Sequence, residues 1–176
     1  TTMADAELYN LRGKFIVLDG PDGSGKTTVQ QKVAEQLQAE GLPVTVCKDP
    51  GGTAVGDRIR GVLLDHDLTQ MTVQCETLLF MASRAQLVRE VVRPALEAGH
   101  VVVCDRFVSS TCAYQVAAGD SLATIIELAK YAVGKTWPDL TLILDVPVET
   151  GFARIGRRVN GRRPMQLAQA AGSAQT

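Results

Sequence analysis

Charge of one sign is missing from this sequence: 18 Lys and Arg stand against 19 Asp and Glu, for a net charge of -1 over 176 residues. Such a balance gives no overall pull toward a phosphate polymer, which excludes a duplex-coating protein and leaves a small anion held by a local basic site. Long apolar runs are also missing. No segment approaches the roughly 18 to 20 consecutive apolar residues of a membrane span. The start Thr1-Thr2-Met3-Ala4-Asp5 lacks the basic-then-apolar order of a secretory signal. We therefore expect a cytoplasmic protein with no membrane and no nucleic-acid polymer as partner. The four cysteines, Cys47, Cys75, Cys104 and Cys112, contain no Cys-x-x-Cys pair, and His66 and His100 are the only histidines. Neither a zinc cluster nor a disulfide framework is suggested, and the thiols read as reduced and structural. The length, 45% hydrophobic and 21% charged content fit one domain over residues 1–176.

What is present is an alternation of strands and helices. Residues 15–19, 44–48, 101–105 and 140–146 are short runs rich in β-branched residues, as in strands buried on both faces. Between them, residues 26–40, 72–98 and 122–133 are helical in character, each followed by a glycine of the kind that ends helices, Gly41, Gly99 and Gly134. Strand, crossover and strand in repetition predict an α/β fold, a parallel sheet flanked by helices on both faces. The first and third runs end at Asp19 and Asp105, so ligands should gather at the carboxyl edge of the sheet. Residues 164–176 are uncharged and rich in Ala and Gln, which reads as a mobile or incomplete tail.

Directly after the first strand stands Gly20-Pro21-Asp22-Gly23-Ser24-Gly25-Lys26-Thr27, with Thr28 next. It fits G-x-x-x-x-G-K-[ST] in the required strand-turn-helix setting. Backbone N–H groups of such a loop wrap a phosphate, the helix N-terminus adds its positive dipole end, the lysine reaches the β- and γ-oxygens, and the Thr27 hydroxyl can ligate Mg²⁺. A P-loop alone does not choose among GTPases, ATPases and small-molecule kinases. A GTPase needs an Asn-Lys-x-Asp guanine reader, and neither Asn10 nor Asn160 is followed by lysine.

Further blocks follow in order: Asp49-Pro50-Gly51-Gly52-Thr53, then Gly56-Asp57-Arg58-Ile59-Arg60, then Glu76 to Arg84, then Asp105-Arg106-Phe107 through Ser110, Thr111, Tyr114 and Gln115. Phe80 and Arg84 are four apart on one predicted helix, so a ring and a guanidinium share a face. Alone, such a pair reads more simply as core and surface; the neighbouring blocks point to a base site. With the P-loop, these blocks resemble bacterial thymidylate kinases of nucleoside-monophosphate-kinase fold, from about Phe15 to Arg158. Asp49 stands where many members carry Glu.

The resemblance implies transfer of the γ-phosphate of ATP to dTMP, with Mg²⁺ as cofactor and a homodimer contacting through the long helix over 72–98. It implies that Phe80 stacks on thymine and that Arg84 bonds its O4. It also implies that Arg106 grips the 5′-phosphate, that Asp105 organises Mg²⁺, and that Asp22 touches the 3′-hydroxyl. Tyr114 would crowd the 2′ carbon, Ser110, Thr111 and Gln115 would meet the pyrimidine edge, and Arg60 would be a second phosphate contact. The loop positions Pro21, Asp22, Gly23 and Ser24 carry no base, so a catalytic arginine must come from elsewhere, and residues 151–163 resemble the start of the family's lid. There Arg154 and Arg158 are the candidates, ahead of Arg157. Another P-loop nucleoside or nucleotide kinase, and a nucleotide-binding protein that has lost turnover, are the alternatives. The second is raised by a C-terminus short for the family's fold.

Overall fold

The computed structural model describes residues 11–65 and 67–156. The expectations for Arg157, Arg158 and the tail over 164–176 lie outside the described residues. In chain order the elements are β1 (Phe15–Asp19), α1 (Lys26–Ala39), β2 (Val44–Lys48), α2 (Ala54–Leu63), α3 (Val73–Leu87), a π-helical turn (Val88–Val92) and α4 (Arg93–Glu97). Then follow β3 (Val101–Asp105), α5 (Val108–Ala117), α6 (Leu122–Val133), β4 (Leu140–Ile143) and α7 (Val148–Gly156). The strands form one parallel sheet in the order β2-β3-β1-β4.

Alternate residues of β1 point to opposite faces, and each face is covered by helices. On one side Phe15 and Val17 join Val102 and Cys104 with Met81, Leu87, Phe107, Ile125 and Val133 from helices and connections. On the other, Ile16 and Leu18 join Val101 and Val103 against Val29, Val33 and Leu37 of α1. This is the doubly covered parallel sheet expected from the alternation of elements.

Four details differ from the sequence expectation. The segment over 72–98 is not one uninterrupted α-helix: Pro94 has no N–H for the Glu90 carbonyl and its ring crowds that oxygen, and the chain takes a π-turn before α4. Of the described strands, β1 and β3 are buried as two-sided strands, whereas β2 is part-exposed and all of β4 is exposed, as their edge positions among the described residues allow. The last strand ends at Ile143, short of residue 146. Helices α2 and α5, not foreseen as elements, start with Thr53, whose hydroxyl accepts the Gly56 N–H at 2.9 Å, and directly after Phe107. All four cysteines are free.

Candidate active site

β1 delivers the P-loop to the carboxyl edge of the sheet. Two of its glycines are required by space. Gly20 has φ +135°, and a Cβ there would lie 2.5 Å from the Leu144 carbonyl oxygen; at Gly23, φ +80°, it would lie 2.4 Å from that of Gly151. The loop is therefore pressed between the chain that leaves β4 and the start of α7. Lys26 curls back over it, with Nζ donating to the carbonyls of Gly20 at 3.0 Å and Pro21 at 2.9 Å. Burial, then Arg106, hold the Lys26 pKa below its ordinary value, against Asp105, Asp22 and Asp19.

Thr27 projects from the first turn of α1, and its hydroxyl donates to Asp105 Oδ2 at 3.2 Å. The other Asp105 oxygen is buried without a hydrogen-bond partner among the described residues, as is Ser24 Oγ. Among the described residues no cluster of three or more His, Cys, Asp or Glu could cage a metal. Mg²⁺ bound with phosphates takes only one or two protein ligands, all oxygen. The Thr27 hydroxyl and the unpartnered Asp105 oxygen fit that requirement.

β3 delivers Asp105-Arg106. Arg106 has φ +69°, the one non-glycine residue with positive φ among the described residues, a conformation that costs about 1–2 kcal/mol for a residue with a Cβ. It is held there by its N–H on the Leu18 carbonyl at 2.9 Å and by Cys104 Sγ on its own carbonyl at 3.2 Å. Strain retained in this way at the end of a strand aims the side chain. The guanidinium meets Asp22 Oδ1 at 2.5 Å, Ser110 Oγ at 2.8 Å and Asp19 Oδ1 at 3.5 Å, and lies over the Tyr114 ring at 5.4 Å. Burial works against its charge, but Tyr114, Asp22 and Asp19 outweigh burial and raise its pKa. Asp19 is the hub beneath it, accepting from Ser110 at 2.6 Å, from Ser109, and from the first P-loop N–H at 2.8 Å.

A second, narrow cavity lies beside Arg106, walled by Asp49, Pro50, Phe80, Arg84, Phe107, Tyr114 and Gln115. Arg84 is 1% exposed. Its Nε donates to Asp49 Oδ2 at 2.5 Å, Nη1 to Met81 Sδ at 3.2 Å, and Nη2 to the Phe107 carbonyl at 3.2 Å and Thr111 Oγ1 at 2.8 Å. Among the described residues these bonds use four of its five N–H groups, the fifth being on Nη1. Burial pushes the Asp49 carboxyl above its ordinary value, with Arg84 and then Arg60 pulling it back. Arg60 reaches the same wall from α2, its Nη1 on the Pro50 carbonyl at 2.8 Å.

The sequence-predicted residues are thus brought to two adjoining spaces. Lys26, Thr27, Thr28, Asp105, Arg60 and Arg154 border an open cleft of about 740 Å³, while Phe80, Arg84, Ser110, Thr111, Tyr114 and Gln115 border the narrow cavity. Arg154, on α7, donates to the Gly23 carbonyl at 3.1 Å, so one expected lid arginine stands at the P-loop. Ser110 and Thr111 serve the arginines: one supports Arg106 and the other Arg84. Sequence reasoning missed Asp19 as a site residue, although its place at the strand end was the available signal. It also missed Ser109, Lys48, which borders the cleft, and Gln30, whose Nε2 donates to the carbonyls of Cys47 at 2.7 Å and Val103 at 2.9 Å.

A P-loop and an arginine-bearing cavity meeting at the carboxyl edge of a parallel sheet define a kinase of the nucleoside-monophosphate-kinase fold. The family model described as thymidylate kinase matches residues 18–170. The chain belongs to the thymidylate kinase family. It is 49% identical over 149 residues to the thymidylate kinase of Pseudomonas fluorescens strain SBW25, covering 84% of this chain and 71% of that protein. To that of Bacillus velezensis it is 43% identical over 146 residues, covering 82% and 69%. The crystal structure of thymidylate kinase from Ehrlichia chaffeensis superposes with a TM-score of 0.71 at 34% identity, over 81% of this chain and 76% of that one.

Proposed function

We propose that this chain transfers the γ-phosphate of ATP to dTMP, giving ADP and dTDP for DNA precursor supply. The observation that carries the reading is the position of Arg106, which borders both the P-loop cleft and the narrow cavity. A nucleotide with its base in the cavity has its 5′-phosphate at Arg106, facing the γ-phosphate of a nucleotide on the P-loop.

P-loop N–H groups and Lys26 hold the β- and γ-phosphates; Thr27 and Asp105 would hold Mg²⁺, which would supply positive charge against them. Arg106 exchanges Asp22 for the acceptor phosphate, which leaves Asp22 to receive the 3′-hydroxyl. Phe80 stacks on thymine, the remaining Arg84 N–H meets O4, the Gln115 oxygen meets N3–H, and Tyr114 crowds the 2′ carbon. Arg60 is the second phosphate contact, and Arg154 the lid arginine beside the migrating group. The acceptor oxygen attacks the γ-phosphorus in line, with no covalent intermediate, so catalysis is positioning and charge stabilisation. The narrow cavity holds about 10 Å³, the room of a single water; the base enters by displacing its walls, of which half-buried Tyr114 is the most exposed ring. A homodimer, with exposed Leu78 of α3 in its contact, and a cytoplasmic setting complete the reading.

The test is dTMP-dependent formation of ADP in wild type and in Arg106→Ala. Loss of a charge donor aimed at the reacting phosphates should lower kcat about 100-fold to 1,000-fold. A variant turning over at the wild-type rate would overturn the role.

A further inference from the structure

The two ends of the Gln115 amide have different surroundings. Gln115 is fully buried; its Nε2 donates to Glu76 Oε2 at 2.6 Å, while Oε1 is buried with no hydrogen-bond partner among the described residues. Gln115 borders the narrow cavity and Glu76 does not, so the oxygen, turned from Glu76, is the end the cavity can offer a ligand. A glutamine amide left alone presents either an acceptor or two donors, since a half-turn exchanges them. An ionised carboxylate only accepts. Beside Glu76 the amide therefore has one favourable orientation, because the flipped form would set two oxygens against each other in a buried place.

Glu76 is itself fixed. It lies in the first turn of α3, 8% exposed, next to Thr77, whose hydroxyl donates to Asp120 Oδ2 at 2.6 Å. The Asp120 N–H in turn donates to the Gln115 carbonyl at 2.9 Å. Side chain and backbone of Gln115 are thus both tied to the Glu76-Thr77 step.

We infer that Glu76 is a positioning residue for base specificity: it holds Gln115 as an acceptor, which suits a ring nitrogen that carries hydrogen, as N3 of thymine does, and opposes the bare N3 of cytosine. The inference rests on the assignment of the narrow cavity to the base of dTMP. A cavity built to accept a hydrogen bond rejects a base that brings another acceptor, because both lone pairs then stay unpaired.

Glu76→Gln keeps the shape and supplies a group that both donates and accepts, so the Gln115 amide is free to turn. The preference for dTMP over dCMP in kcat/KM should fall about tenfold or more, with the effect on the KM for dTMP larger than on kcat. In a Gln115→Leu background the same substitution should change the preference no further, since the group through which Glu76 acts is gone. An unchanged preference in Glu76→Gln, or an equal fall in both backgrounds, overturns the inference. A wild type that phosphorylates dCMP as well as dTMP overturns the base assignment and the inference together. A wild type that prefers dTMP, with Glu76→Gln alike, overturns the inference alone.

Discussion

Asp49→Ala should be among the most damaging single changes outside the sheet. Asp49 and Arg84 have side-chain exposures of 0% and 2%, and Asp49 is the one carboxylate ion-paired with Arg84 among the described residues. After its removal Arg84 keeps the Phe107 carbonyl, Thr111 Oγ1 and Met81 Sδ, all neutral, and it cannot release its proton. Breaking a buried pair from one side costs about 3–5 kcal/mol. At about 2–4 °C per kcal/mol for a chain of this size, Tm falls by roughly 6–20 °C. Urea unfolding should show a lower midpoint with an unchanged slope. Replacing the pair together, as Asp49→Leu with Arg84→Met, should restore most of the stability without restoring dTMP turnover, because the partner proposed for O4 is absent. A loss below about 1 kcal/mol in Asp49→Ala would refute the claim that the two charges depend on each other, that being the range of exposed pairs.

Gly23→Ala should cost about 2 kcal/mol or more and weaken ATP binding, because its Cβ would meet the Gly151 carbonyl in a left-handed backbone; calorimetry with ATP that matches wild type would contradict this. Glu76 gives a pH dependence. Burial raises its carboxyl above the ordinary 4.5, with the Gln115 hydrogen bond pulling the other way. The folded chain then keeps this proton longer than the unfolded one, so the contribution to stability is full below the ordinary value and declines as pH rises through it to the folded value. In urea unfolding between about pH 4 and pH 7 that decline should be smaller in Glu76→Gln, and parallel curves would contradict it.

The parts of the site that lie within a few residues of one another were legible in the sequence. The P-loop is one turn between a strand and a helix, and Phe80 and Arg84 share a helix face by spacing alone. Asp105-Arg106 closes a β-branched run, and its place at the sheet edge follows from the topology. Contacts made across the fold were not legible. Asp49, which stands where many family members carry Glu, proves to be the counter-charge of Arg84, which is 35 residues away. Glu76 meets Gln115 across 39 residues, and Asp19 meets Ser110 across 91. Spacing carries no information about such pairs until the helices are packed. The π-turn before Pro94 was missed for a different reason: an apolar helical period continues through it, and only the missing N–H of the proline marks the break.

The central claim, that Arg106 joins a nucleotide on the P-loop to a thymine nucleotide in the narrow cavity, is tested most directly by initial rates of the wild type with ATP and each of four acceptors. ADP should form fastest with dTMP, more slowly with dCMP and AMP, and not at all with thymidine, which brings no phosphate to Arg106. Phosphorylation of thymidine, or faster turnover of dCMP or AMP than of dTMP, would contradict the account.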